Sequence, residues 1–104
     1  MKLFLVYIVD CSDRSFYIGV TSNLTKRLTE HNSGVYPEAF TYKRRPVALK
    51  WVEQFTDPHQ AFKVEKQLKG WSRRKKIALI EGNWEKLVQY SKNYTENGSS
   101  TEES

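Results

Sequence analysis

Cysteine is nearly absent from this chain: Cys11 stands alone among 104 residues. An internal disulfide framework is thereby excluded, and so is a cysteine-rich zinc site. His31 and His59 are the only histidines, too few to build a structural zinc site without a second cysteine. Long apolar runs are missing as well. The opening Lys2-Leu3-Phe4-Leu5-Val6-Tyr7-Ile8-Val9 resembles a signal peptide only at first glance, because it stops at Asp10 and no small-residue cleavage site follows. No other apolar stretch approaches the roughly 20 residues that span a membrane. The sequence therefore reads as soluble and cytoplasmic, with no membrane partner.

Acid is scarce relative to base, with 12 Asp and Glu against 17 Lys and Arg, for a net charge of +5. The segment from Ser91 onward holds Lys92 against Glu96, Glu102 and Glu103, and its net −2 leaves +7 on the body before it. That balance favours a polyanionic partner, nucleic acid ahead of an acidic membrane. A basic but otherwise unremarkable soluble domain is the plain alternative on charge alone. With 38% hydrophobic and 13% aromatic residues, the chain can fill one modest core. The expected organisation is one domain over residues 1–90 and a disordered polar tail over 91–104.

Leu3 to Asp10 is rich in branched and aromatic residues and predicts a buried strand. Cys11-Ser12-Asp13-Arg14 reads as a turn and Ser15 to Val20 as a second strand, giving a hairpin. Alternation along each strand allows Tyr7 and Tyr17 to share a face, with Gly19 leaving that face open for a ligand. Thr21-Ser22-Asn23 supplies capping oxygens, and Leu24 and Leu28 begin a helical stripe that ends near Gly34. Arg27 and His31 are one helical turn apart. After a loop containing Lys43-Arg44-Arg45-Pro46, Val47 to Phe55 reads as a third strand with Leu49, Trp51 and Phe55 on one side. Asp57-Pro58-His59-Gln60 starts a helix with an Ala61, Val64, Leu68, Trp71 stripe. Ser72 caps another that runs to Gly82, and Asn83 to Tyr90 forms a last one, with Trp71 and Trp84 in the core. The order ββαβαα describes an α+β domain: a small three-stranded antiparallel sheet flanked by helices.

The tyrosine-centred strands Leu5-Val6-Tyr7-Ile8-Val9 and Phe16-Tyr17-Ile18-Gly19-Val20 are followed by Asn23 to His31 and by Glu65-Lys66-Gln67-Leu68-Lys69-Gly70-Trp71. In this order the chain resembles the GIY-YIG endonuclease superfamily, from about Leu3 to Leu87. The resemblance implies a three-stranded antiparallel sheet with flanking helices. It matches Tyr7 and Tyr17 to the two motif tyrosines, Arg27 to the arginine of the first helix, and His31 to the His/Tyr position one turn on. Glu65 takes the place of the metal-binding glutamate. Leu5 stands where the family name implies glycine, a tolerable exchange within a strand. Asn83 is the nearest candidate for a late family asparagine and stays outside the catalytic set.

Phosphodiester hydrolysis needs those groups. Water must lose a proton, phosphate must carry extra charge, and an alkoxide must leave. Tyr17 is the candidate general base or water-orienting group, and since a free phenol ionises near pH 10, a neighbouring cation has to help it. The fixed guanidinium of Arg27 suits transition-state charge. The resemblance gives Glu65 one Mg²⁺ or Mn²⁺, completed by water and substrate oxygens. His31 positions the water, shares a proton with Tyr17 or bonds the phosphate, and Tyr7 orients the nucleophile or the phosphate. Taken singly, each residue has a duller reading: half-buried strand tyrosines, a solvated helix arginine, a histidine near a helix end, a glutamate in helical ion pairs.

Lys43, Arg44 and Arg45 sit in a loop suited to phosphate contacts. Arg73, Arg74, Lys75 and Lys76 crowd the first turn of a helix, where the dipole disfavours cations and exposed amides suit an anion. A solvated helix end is the alternative there. The leading expectation is a divalent-metal-dependent DNA endonuclease of repair or recombination, acting as a monomer or loose dimer. The rival is a non-catalytic nucleic-acid-binding module of the same fold, and a weaker third is an adaptor using its tail.

Overall fold

Seven residues, FLVYIVD, six of them branched or aromatic apolar side chains, form the central strand β1 (Phe4–Asp10). β2 (Phe16–Thr21) and β3 (Ala48–Phe55) pair with it on either side, both antiparallel, so the sheet order is β2-β1-β3. Central placement explains why Val6, Tyr7, Ile8 and Val9 are all essentially buried. The turn between β1 and β2 closes through Cys11 N–H to the Ser15 carbonyl at 2.8 Å, and the Asp13 carboxylate accepts from both the Ser15 amide and hydroxyl. The described structure, a computed structural model, covers residues 2–96, and side chains for residues 2–91.

β3 is an edge strand and is mostly exposed. Trp51 and Phe55 are half-buried, but Leu49 is 38% exposed and does not share their face, contrary to the simple alternation. A bulge is the cause: Trp51 pairs with Ile8 while Leu49 pairs with Val9, so Lys50 is an extra residue that reverses the phase.

Helix α1 (Leu24–Ser33) starts at Asn23, whose side-chain oxygen accepts from the Lys26 amide at 3.1 Å. Thr21 steadies that cap by accepting the Asn23 amide on its hydroxyl. The helix ends at Gly34 (φ 73°), where a side chain would be strained and would also collide with the Arg45 guanidinium. Leu24, Leu28 and Tyr17 pack against a buried cluster of Tyr7, Val9, Cys11 and Val47, which fixes α1 over the sheet face that carries Tyr7. Asn32 locks the far end by a two-way exchange, donating to the Val47 carbonyl and accepting its amide.

The described chain forms two compact units, one ending at Glu65 and one beginning at Lys66. Helix α2 (Pro58–Lys69), with the Asp57 carboxylate accepting the His59 amide, brings Glu65 to the end of the first unit. In the second unit, α3 (Arg73–Glu81) is capped by Ser72 and ends at Gly82, and α4 (Trp84–Glu96) follows with Asn83 capping the Lys86 amide. Trp84 is 61% exposed, so it is not a core residue, whereas Trp71 is half-buried. α4 runs past Tyr90, where apolar periodicity ends, to Glu96, and the rest of the expected tail lies outside the described residues. Among the described residues no helix is long and apolar enough to cross a membrane.

Candidate active site

The antiparallel register sets Tyr7 opposite Gly19 and Val9 opposite Tyr17, so both phenols stand on the face that α1 covers. Their ring centroids are 6.4 Å apart. One helical turn beyond Arg27, His31 points down from α1 onto the same spot, 5.3 Å from the Tyr17 ring and 6.1 Å from the Tyr7 ring, edge-on to both. The Tyr7 hydroxyl lies 3.0 Å from His31 Nε2, and Nδ1 of the same ring lies 2.8 Å from the Thr41 hydroxyl. All three residues are buried, which makes a hydrogen-bonded row with almost no solvent access.

Burial, then the neighbouring Tyr17 phenol, push the Tyr7 hydroxyl well above the ordinary phenol range. The Arg27 charge pulls the other way, while the carboxylates of Glu65 and Glu30 raise it further. Tyr7 is therefore a protonated phenol at neutral pH. Burial also lowers His31 below the usual imidazole value, Arg27 adds to that, and Glu30 opposes it, so the ring is neutral. Both shifts show that Arg27 acts on the buried row, and the Tyr7 shift shows the same for Glu65. Tyr7, Tyr17 and His31 thus meet over one patch of the sheet, Arg27 stands one helical turn before His31 on α1, and Glu65 lies on α2 within the same unit. Arg27 is also 3.9 Å from Glu30, a loose pair with side chains 38% and 20% exposed.

A free opening at Gly19 is not what the strand supplies. The space over this glycine is filled by Tyr7 itself, since a Cβ there would lie 2.5 Å from the Tyr7 hydroxyl oxygen. Sequence reasoning also missed Phe40 and Thr41. Phe40 stacks on Tyr17 with centroids 6.0 Å apart and planes at 23°, and Thr41 partners His31. Both lie in a loop without hydropathy periodicity, so no local signal marks them.

The basic clusters divide by what they already hold. Arg44 lies 3.9 Å over the Phe40 ring, donates from Nε to Asp13 at 3.0 Å and from its terminal nitrogen to the Phe40 carbonyl. Its own carbonyl accepts the Ser12 amide, which stitches the loop to the β1–β2 turn. Arg45 covers the Tyr42 ring and donates to the Tyr42 carbonyl. Lys43 is exposed, and with Asn32, Tyr42, Arg45 and Pro46 it lines an open depression of about 680 Å³. In the second unit Arg74 lies over Tyr90. Lys75 is buried with its ammonium over Trp71, which removes it from the solvent-facing set expected at that helix start. Arg73 and Arg74 remain exposed there, with Lys76 half-buried.

Glu65 is half-buried on α2. Among the described residues no three or more His, Cys, Asp or Glu side chains converge as a metal cage. A single half-buried carboxylate suits Mg²⁺ or Mn²⁺, which take most of their oxygens from water and substrate, and does not fit a structural zinc.

Residues 3–78 match the GIY-YIG catalytic domain. Among curated relatives, the UPF0213 protein of Syntrophus aciditrophicus is 45% identical over 82 residues, covering 79% of this chain and 94% of that protein. A UPF0213 protein of Staphylococcus haemolyticus is 41% identical, covering 73% and 92%. Two solution NMR structures are similar. That of an E. faecalis protein has a TM-score of 0.57 and 36% identity over 79% of this chain and 86% of its own. That of the UPF0213 protein of Bacillus halodurans has 0.51 and 34%, over 76% and 83%. The match takes in both strand tyrosines, all of α1 and Glu65, and it makes this chain a member of the GIY-YIG family of nuclease domains, of the kind the UPF0213 proteins represent.

Proposed function

We propose that this protein is a divalent-metal-dependent endonuclease that hydrolyses DNA phosphodiester bonds in repair or recombination, working as a monomer or loose dimer. The observation that supports the reading is the cluster of Tyr7, Tyr17 and His31 on one sheet face, with Arg27 one turn away on the same helix and Glu65 in the same compact unit. In this reading Tyr17, less buried than Tyr7, orients the attacking water and, when in its phenolate form, takes its proton. Arg27 meets the negative charge that builds on the phosphate, which its partial exposure leaves it able to reach. Glu65 would hold one Mg²⁺ or Mn²⁺, and that ion, when bound, neutralises charge on the reacting phosphate. Neutral His31 is able to accept a proton, and Tyr7 holds it in place. Lys43, Arg73, Arg74 and Lys76 contact flanking phosphates, while Arg44, Arg45 and Lys75 contribute mainly through the rings they cover.

Purified protein incubated with Mg²⁺ or Mn²⁺ and duplex, single-stranded, branched or nicked DNA tests this. Cleavage is expected, with losses of about 10²- to 10³-fold in Arg27→Ala and a comparable loss in Glu65→Ala. Full activity in either variant overturns the assigned roles. Salt-sensitive binding without metal-dependent cleavage would favour the non-catalytic binding module.

A further inference from the structure

Thr41 is a buried polar residue in an irregular loop, flanked by exposed Phe40 and half-buried Tyr42, and its hydroxyl meets the one ring nitrogen of His31 that Tyr7 leaves over. A neutral imidazole carries one proton, so the row Tyr7–His31–Thr41 has two possible polarities. Either Tyr7 donates to Nε2 and Nδ1–H donates to Thr41, or Thr41 donates to Nδ1 and Nε2–H donates to Tyr7. The chemistry of the two hydroxyls decides between them. A phenol is the more acidic and hence the better donor, and its oxygen is the poorer acceptor because the ring withdraws its lone pair. An aliphatic hydroxyl is the reverse.

We infer that Thr41 is a positioning residue: its oxygen accepts from Nδ1–H, fixes His31 in the Nδ1-protonated tautomer, and so leaves Nε2 bare to receive the Tyr7 proton. This deepens the nuclease reading and rests on it for its catalytic consequence. With its single proton committed to His31, the Tyr7 oxygen has only acceptor capacity left. A buried group with no proton left to give has nothing to offer a phosphate oxygen, so Tyr7 acts by holding His31. Thr41 achieves this without touching substrate, and Phe40 beside it holds the other phenol, so one loop sets both tyrosines.

Imidazole ¹⁵N spectroscopy of the intact chain at neutral pH reads the tautomer directly and needs no catalysis. The wild type is expected to show His31 with a protonated Nδ1 and a bare Nε2. Thr41→Val deprives Nδ1–H of its acceptor, so the signal is expected to move toward the Nε2-protonated form. Turnover is expected to fall about tenfold to a hundredfold, as for other groups that orient an imidazole from behind, with KM for DNA little changed. Thr41→Ser, which retains the hydroxyl, restores both. A protonated Nε2 in the wild type overturns the inference whatever the cleavage assay gives, and so does a Thr41→Val spectrum identical to wild type. An inactive wild type with the expected tautomer would instead count against the nuclease reading.

Discussion

Tyr7 lies across Gly19, its partner on the neighbouring strand: a methyl group at Gly19 would sit 2.5 Å from the phenol oxygen and 2.7 Å from Cζ. The tyrosine is fully buried and tied to His31, so it has little freedom to yield. Glycine is therefore demanded by a side chain of the protein itself. Gly19→Ala is expected to cost about 1–3 kcal/mol, the usual penalty of overpacking, and to abolish cleavage by pushing Tyr7 off Nε2. Removing the hydroxyl in a Gly19→Ala, Tyr7→Phe double variant recovers part of the stability but no activity. Urea unfolding of the wild type and the two variants checks this, and a fully stable Gly19→Ala protein would refute it.

Neighbouring cations in the same loop should separate by experiment. Arg44 is committed to Phe40 and Asp13, whereas Lys43 faces solvent. Lys43→Ala is expected to leave folding intact and to reduce the salt slope of DNA binding by about 1, the signature of one lost phosphate contact. Arg44→Ala is expected to lower stability by about 1–2 kcal/mol, a cation–π contact and a hydrogen bond together, while the salt slope stays near wild type. It also slows cleavage, because Phe40 no longer steadies Tyr17. Equal salt slopes for the two variants would reverse the assignment.

Much of this arrangement is legible in the sequence because local rules govern it. Period-two alternation puts Tyr7 and Tyr17 on one face, the capping run Thr21-Ser22-Asn23 and the stop near Gly34 bound α1, and a four-residue spacing stacks Arg27 above His31. What escapes is what depends on distant contacts. The bulge opposite Ile8 and Val9 moves Leu49 off the Trp51 face, and nothing in the local pattern announces the extra residue. Lys75 reads like its three cationic neighbours, yet Trp71 draws it inward. Trp84 has the composition of a core residue and is exposed. Thr41 and Phe40 matter only because the loop folds back onto α1 and β2.

Glu30 sits one turn from Arg27 and competes with any phosphate for its guanidinium. At 3.9 Å and with both side chains partly exposed, the pair is worth about 0.2–1 kcal/mol. Glu30→Gln therefore frees Arg27 and removes one negative charge near Tyr7 and His31. DNA affinity is expected to rise, by no more than about fivefold. Titration at fixed salt would test this, and weaker binding would mean that Glu30 holds Arg27 in its working orientation.

His31 links the site to folding through its depressed protonation. Burial and the Arg27 charge disfavour the imidazolium in the native state, while the unfolded chain protonates near its ordinary value of about 6.5. Below that pH the unfolded state binds the extra proton first, so stability falls as the pH drops toward the folded value. Above it His31 contributes no pH dependence. Protonation also removes the acceptor at Nε2, so Tyr7 loses its partner and cleavage should fall in the same window. Thermal unfolding between pH 5 and 8 is expected to show a wild-type decline below about pH 6.5. His31→Asn should be less stable at pH 8 but flatter in that range. A wild-type profile no steeper than the variant's would mean that His31 meets solvent freely, against its burial beneath Tyr17 and Thr41.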